Sequence, residues 1–184
     1  MLSKNQIKIL RGLQRKKERK NSGLYIVEGK KIVQEILDSK DDWVELYATK
    51  SWLEQYPEYV ALENVYEITD KDLAQISSFK TPNDVVLLLE QKAKIDFLEV
   101  HSTDIVLALD GIKDPGNMGT IIRLADWFGV SHILCTTDSV DQYNPKVVQS
   151  AMGSLSRVNI HYGDFCLLYT SDAADEEDSV DLGG

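Results

Sequence analysis

Apolar residues recur along the first half of the chain in two rhythms. Ile7, Leu10 and Leu13 fall at helical spacing behind Ser3 and Gln6, a capping-box pair, and predict a helix to about Lys17 with its bases on the opposite face. Asn21-Ser22-Gly23 reads as a turn. Short apolar runs then alternate with helical segments: strand Leu24 to Val27, helix Gly29 to Leu37, strand Trp43 to Ala48, helix Ser51 to Tyr56, strand Val65 to Ile68, helix Asp70 to Ile76. The unbroken run Val85 to Leu89 marks a strand buried on both faces, and the alternation predicts a layered α/β unit.

Residues 91–103 lack a clear period and are read as a linker. A second α/β unit follows. Strand Ile105 to Leu109 leads through a loop at Asp114-Pro115-Gly116-Asn117 into a helix that reaches about Phe128 and stops at Gly129. Its core face is expected to be Ile121, Leu124, Ala125 and Phe128. Strand Ile133 to Cys135, a helix opened by Asn144-Pro145 and ending near Met152-Gly153, and a strand Leu155 to Ile160 complete the pattern, without internal repeats. From Cys166 the amphipathic period is lost. Cys166 to Glu176 resembles the conceptual translation of a sequencing adapter, and the competing reading is a natural acidic tail. The expected division is a domain at 1–95, a second at 104–165 and a non-native segment at 166–184.

Hydrophobic content of 43% and charged content of 27% fit a globular protein, and no run of 18 apolar residues suggests a membrane span. An opening without an apolar leader, and only two cysteines, Cys135 and Cys166, point to the cytoplasm. The net charge of −10 argues against a polyanion partner until its distribution is considered. Residues 1–31 hold ten Lys/Arg against two Glu, a local charge of +8 that leaves −18 for the rest. Local potential steers a polyanion more than net charge does. Arg15, Lys16, Lys17, Arg19, Lys20 and Lys30 are therefore candidate RNA contacts, against the plainer reading of a solvated helix face.

Candidate chemistry concentrates between Asp114 and Gly129. A buried strand feeds a Pro/Gly turn and then a helix N-terminus, an arrangement that favours an anion. Gly116 and Gly119 allow close backbone approach, Asn117 offers a donor and an acceptor, and Arg123 presents a permanently charged fork suited to phosphate. The spacing matches neither a P-loop nor a dinucleotide fingerprint. On these residues alone, an ordinary βα connection remains open.

The full string DPGNMGTIIRLADWFG resembles the first signature motif of the SpoU (TrmH-like) RNA 2′-O-ribose methyltransferases of the SPOUT superfamily. DQYNPKVVQSAMGSLSRV, from Asp141 to Val158, is similar to the family's next helix and strand. NSGLYIVEGKKIVQEIL, from Asn21 to Leu37, is similar to the start of its N-terminal, ribosomal-protein-like RNA-binding domain, and Ser77 to Pro82 falls where that domain meets the catalytic one. The resemblance covers residues 1–165 and implies an RNA-binding α/β domain followed by a Rossmann-like, trefoil-knot domain. It implies methyl transfer from S-adenosylmethionine to a ribose 2′-hydroxyl of structured RNA, by analogy ribosomal RNA, without a metal and in a homodimer. Asn117 and Arg123 would be the active-site residues, Asn117 orienting Arg123 or the ribose and Arg123 positioning the hydroxyl or its phosphate. The family's Gly-Asn-Glu motif and its later donor-binding motif do not occur here, so the chain is expected to lack a complete donor pocket.

Other residues carry plainer readings. Asp114 is expected to be a cap, His132 structural, and Trp43, Trp52 and Trp127 core residues. His101 and His161 show no converging partners, Tyr143 opens a helix, and Ser150 and Ser154 lack a hydrolase context. Two rival classes stand beside the enzyme: a non-catalytic RNA-binding module, and a phosphate- or nucleotide-binding α/β protein.

Overall fold

A computed structural model describes residues 2–39, 41–93 and 105–164. The linker core, His101, Cys166 and the acidic segment lie outside the described residues. The first lobe runs α1 (Lys4–Gly12), α2 (Lys16–Ser22), β1 (Leu24–Glu28), α3 (Lys30–Ser39), β2 (Glu45–Thr49), α4 (Lys50–Gln55), a 3-10 turn (Pro57–Tyr59), β3 (Val65–Ile68), α5 (Asp70–Ile76) and β4 (Val85–Glu90). Its sheet has the order β1-β4-β2-β3, with β2 and β3 parallel and the other pairs antiparallel.

Pleating sends alternate residues of a strand to opposite faces, and in this lobe both faces are covered. Tyr25, Val27, Val85, Leu87 and Leu89 join the cluster under α3 and α4, whereas Ile26, Val86 and Leu88 join Leu10 of α1, Leu13 just after it, and Leu73 and Ile76 of α5. The continuous apolar run of β4 thus has the predicted cause. The single predicted N-terminal helix is two. The Ser3–Gln6 capping box is present, but the chain bends after Gly12, and Asn21 and Ser22 belong to α2, which ends on left-handed Gly23. The bend is held from α2, because the Arg19 guanidinium donates to the carbonyls of Leu13 and Gln14 at 2.9 and 3.0 Å.

The second lobe runs β5 (Val106–Leu109), α6 (Pro115–Trp127), β6 (His132–Thr136), α7 (Pro145–Ala151), α8 (Ser154–Arg157) and β7 (Asn159–Gly163). Its three strands are parallel in the order β5-β6-β7. The strand predicted from Leu155 begins at Asn159. The preceding residues form α8, where Ser154 donates to Asp126 at 2.7 Å and Arg157 reaches the same carboxylate. One apolar cluster spans both lobes, joining Tyr25 and Ile36 to Met118, Ile122, Val147 and Leu155.

Candidate active site

The loops that follow β5 and β6 leave the same end of their parallel strands and are stitched together. Gly111 N–H donates to Thr136 Oγ1 at 2.8 Å, Ile112 N–H to Ser139 Oγ at 3.1 Å, and Val140 N–H to the Ile112 carbonyl at 2.8 Å. Lys113 pairs with Asp138, whose carboxyl is held below the usual range by that ammonium. This frame delivers the chain to Asp114, whose carboxylate accepts from Asn117 N–H at 2.8 Å and caps α6, with Pro115 in its first turn. The cap reading of Asp114 is correct.

The helix is turned differently from the prediction. Met118, Ile122 and Ala125 face the core, while Leu124 and Phe128, expected there, are half exposed and exposed. Gly119 sets this rotation. A Cβ on it would lie 2.0 Å from Ser150 Oγ and 2.7 Å from Ala151 N, so α6 and α7 approach where only glycine fits. Gly119 therefore serves helix packing rather than ligand approach. Trp127, also expected in the core, is 84% exposed, whereas Trp52 is fully buried and Trp43 half buried.

The exposed face of α6 carries Asn117, Thr120, Arg123, Leu124 and Trp127. Neither the Asn117 amide nor the Arg123 guanidinium has an intramolecular hydrogen bond or ion pair among the described residues. Six residues apart on a helix, they are offset by about 9 Å along the axis and about 120° around it. They stand at opposite edges of the exposed face, with Thr120, Leu124 and Trp127 between them, and no hydrogen bond joins Asn117 to Arg123.

Beside Arg123 lies a groove of about 630 Å³, lined by Trp127, Phe128, Met152, Glu35 and Arg157 among others. Three of its charged residues form a set that the sequence did not reveal. Arg157 Nε and Nη2 bracket the Asp126 carboxylate at 3.0 to 3.1 Å and 2.7 Å, and Nη2 also reaches Glu35 Oε1 at 3.0 Å. The Arg157 guanidinium holds the Asp126 carboxyl below the ordinary carboxylate range, and the two carboxylates keep Arg157 charged. Glu35 also accepts from Gly153 N–H at 3.3 Å. The preceding Met152 adopts φ 55° and ψ −148°, a conformation that side chains rarely adopt.

The basic face is real but smaller than predicted. Arg15, Lys16, Lys17 and Lys20 are exposed beside Lys4, Lys8 and Arg11 of α1. Arg19 is not among them. It is 2% exposed and pairs with Asp141 of the second lobe, its Nε 3.2 Å from Oδ2. Burial removes it from any RNA surface and makes it a joint between lobes. Lys30 is half exposed and paired with Asp84. Tyr143 also belongs to the joint, its ring 4.6 Å from that of Tyr25 and its hydroxyl accepting from Lys92 N–H at 3.0 Å. Burial raises the pKa of that hydroxyl. His161 does have a partner: its Nε2 is 3.2 Å from His132 Nδ1, which supports the structural reading of His132. Ser150 donates to backbone carbonyls, including that of Pro115 at 3.1 Å, and so ties α7 to α6.

An α/β lobe with a basic helical face, docked on a parallel βα lobe whose capped helix presents Arg123, is the architecture of a SPOUT-type methyltransferase. Residues 4–87 match the MRM3-like substrate binding domain, and residues 104–176 match the SpoU rRNA methylase family. A solved structure from Porphyromonas gingivalis, assigned to the TrmH family of RNA methyltransferases, is 36% identical, with a TM-score of 0.77 over 95% of this chain and 69% of its own. An AdoMet-bound rRNA methyltransferase from Sinorhizobium meliloti is 29% identical, with a TM-score of 0.78 over 95% of this chain and 67% of its own. The 23S rRNA (guanosine-2′-O)-methyltransferase RlmP of Bacillus subtilis is 26% identical over 83% of this chain and 60% of its own length. The chain belongs to the SpoU (TrmH-like) methyltransferase family. It spans 36%, 56% and 60% of the length of the first three curated relatives it matches.

Proposed function

We propose that this chain acts in RNA methylation, in a protein that moves a methyl group from S-adenosylmethionine to a ribose 2′-hydroxyl of structured ribosomal RNA. One observation carries the reading. Arg123 stands exposed, and without a partner among the described residues, about two turns into the N-capped helix that follows β5, within the motif from Asp114 to Gly129. In this reading its planar fork grips the phosphate next to the target ribose and fixes the hydroxyl. A guanidinium is permanently protonated and has no lone pair to accept the hydroxyl proton, so it does not act as the base itself. Asn117, at the other edge of the exposed face, meets the ribose. Lys16, Lys17 and Lys20 hold more distant phosphates.

S-adenosylmethionine supplies the methyl group. The carboxylates and guanidinium lining the groove beside Arg123 are already paired with one another, so they offer no free groups to hold an adenosyl moiety. No donor-binding role is assigned to the described residues. The finer parts of the reading are a homodimer, supported by the exposed Leu124, Trp127 and Phe128 of α6, and a reducing cytoplasmic setting, supported by the free, buried Cys135.

Labelled S-adenosylmethionine and ribosomal RNA fragments test the proposal. Label on a ribose 2′-oxygen that disappears with Arg123→Ala is the expected result. The paired groove favours a second reading, a non-catalytic RNA-binding module, and RNA binding without transfer selects it. Affinity for RNA that ignores salt and the Lys16, Lys17 and Lys20 charges overturns both.

A further inference from the structure

The charges around Arg123 raise a problem. Asp126 is three residues further along α6, the spacing at which an aspartate and an arginine on one helix pair. Such a pair would neutralise the guanidinium that the proposed reaction needs. In the structure it does not form, because Arg157 takes the Asp126 carboxylate with two of its nitrogens and Ser154 adds a third hydrogen bond at 2.7 Å. Arg157 is in turn fixed from the other lobe by Glu35.

We propose that Arg157, anchored by Glu35, is a positioning residue that holds Asp126 off Arg123 and so keeps that guanidinium free for an RNA phosphate. The proposal rests on the reading of Arg123 as a phosphate contact. Local geometry shows that the set is built rather than incidental. A Cβ on Gly153 would fall 2.3 Å from Glu35 Cδ, so only glycine leaves room for the anchor. Met152 holds a strained backbone to present Gly153 N–H to the same carboxylate. The side chains of Glu35, Asp126 and Arg157 are 39%, 23% and 44% exposed, so screening keeps their contribution to stability small. The depressed carboxyl of Asp126 agrees with a charge engaged by Arg157.

The test measures what Arg123 contributes to binding in three backgrounds, using a hairpin fragment of ribosomal RNA and the full chain. In wild type, Arg123→Ala is expected to lower the salt dependence of log Kd by roughly 0.7 to 0.9, the loss of one phosphate contact. In Arg157→Gln the same substitution should change almost nothing, because Asp126 has already captured Arg123. In the double variant Arg157→Gln, Asp126→Asn the effect of Arg123→Ala should return. A merely structural role for Arg157 cannot produce that rescue. Gly153→Ala, which displaces Glu35, should weaken the Arg123 contribution in the same direction, and circular dichroism verifies that each variant is folded. An Arg123→Ala effect that persists undiminished in Arg157→Gln overturns the positioning role and leaves the RNA reading intact. No effect in wild type removes Arg123 as a phosphate contact and the positioning role with it.

Discussion

The two sheets of this protein are finished to different degrees. The four-stranded sheet is covered on both faces, and its central strand β4 is buried from Val85 through Leu89. Among the described residues the three-stranded parallel sheet is less covered: β5 is mostly half exposed, Ile105 just before it is exposed, and so are Trp127 and Phe128 at the end of α6. Parallel sheets are ordinarily buried on both sides. The second lobe compensates by leaning on the first. Tyr143 packs on Tyr25, and Met118 and Val147 enter the core cluster that begins under α3. The residues left open on α6 are those a ligand or a second copy can use.

That contrast can be broken by substitution. Trp52→Ala in the first lobe should cost about 3–5 kcal/mol by urea denaturation, since the ring is fully buried among Tyr56 and Tyr59. Arg19→Ala should cost about 3 kcal/mol, because it strands Asp141 at the joint, yet leave the salt dependence of RNA binding unchanged. Neutralising Lys16, Lys17 and Lys20 should do the reverse, flattening the salt dependence with stability within about 0.5 kcal/mol of wild type.

Gly119→Ala should destabilise by about 1–3 kcal/mol, against the gain alanine normally brings to a helix, because its Cβ meets Ser150. Acid should act last on the Glu35–Arg157–Asp126 set. The folded-state pKa of Asp126 is depressed, so its contribution is complete above the ordinary carboxylate pKa of about 3.9 and fades as pH falls through the lower folded value. A loosening of α8 that began near neutral pH, seen by hydrogen exchange, would contradict that assignment.

Most of the element order was legible because periodicity is local. The capping box at Ser3, the cap at Asp114 and the apolar run of β4 need only near neighbours or burial on both sides. The errors have a common origin. Leu124, Trp127 and Phe128 look like core residues until Gly119 fixes which face of α6 meets α7. Arg19 looks like one more exposed base until the second lobe brings Asp141 to it from 122 positions away. Glu35 and Arg157 are separated by the same distance in sequence, and nothing in their local pattern marks them as a pair.

The sequence by itself determined the two α/β units, the capped helix that carries Arg123, the basic N-terminal segment and the family resemblance. Each follows from residue type and short-range spacing, which act before the chain is compact. Only the tertiary structure decided which bases remain exposed, how α6 is rotated, and that Arg157 rather than Arg123 holds Asp126. Those outcomes depend on packing and on charges meeting across the joint between lobes, where a close approach of a few ångströms selects one partner among several that the sequence allows.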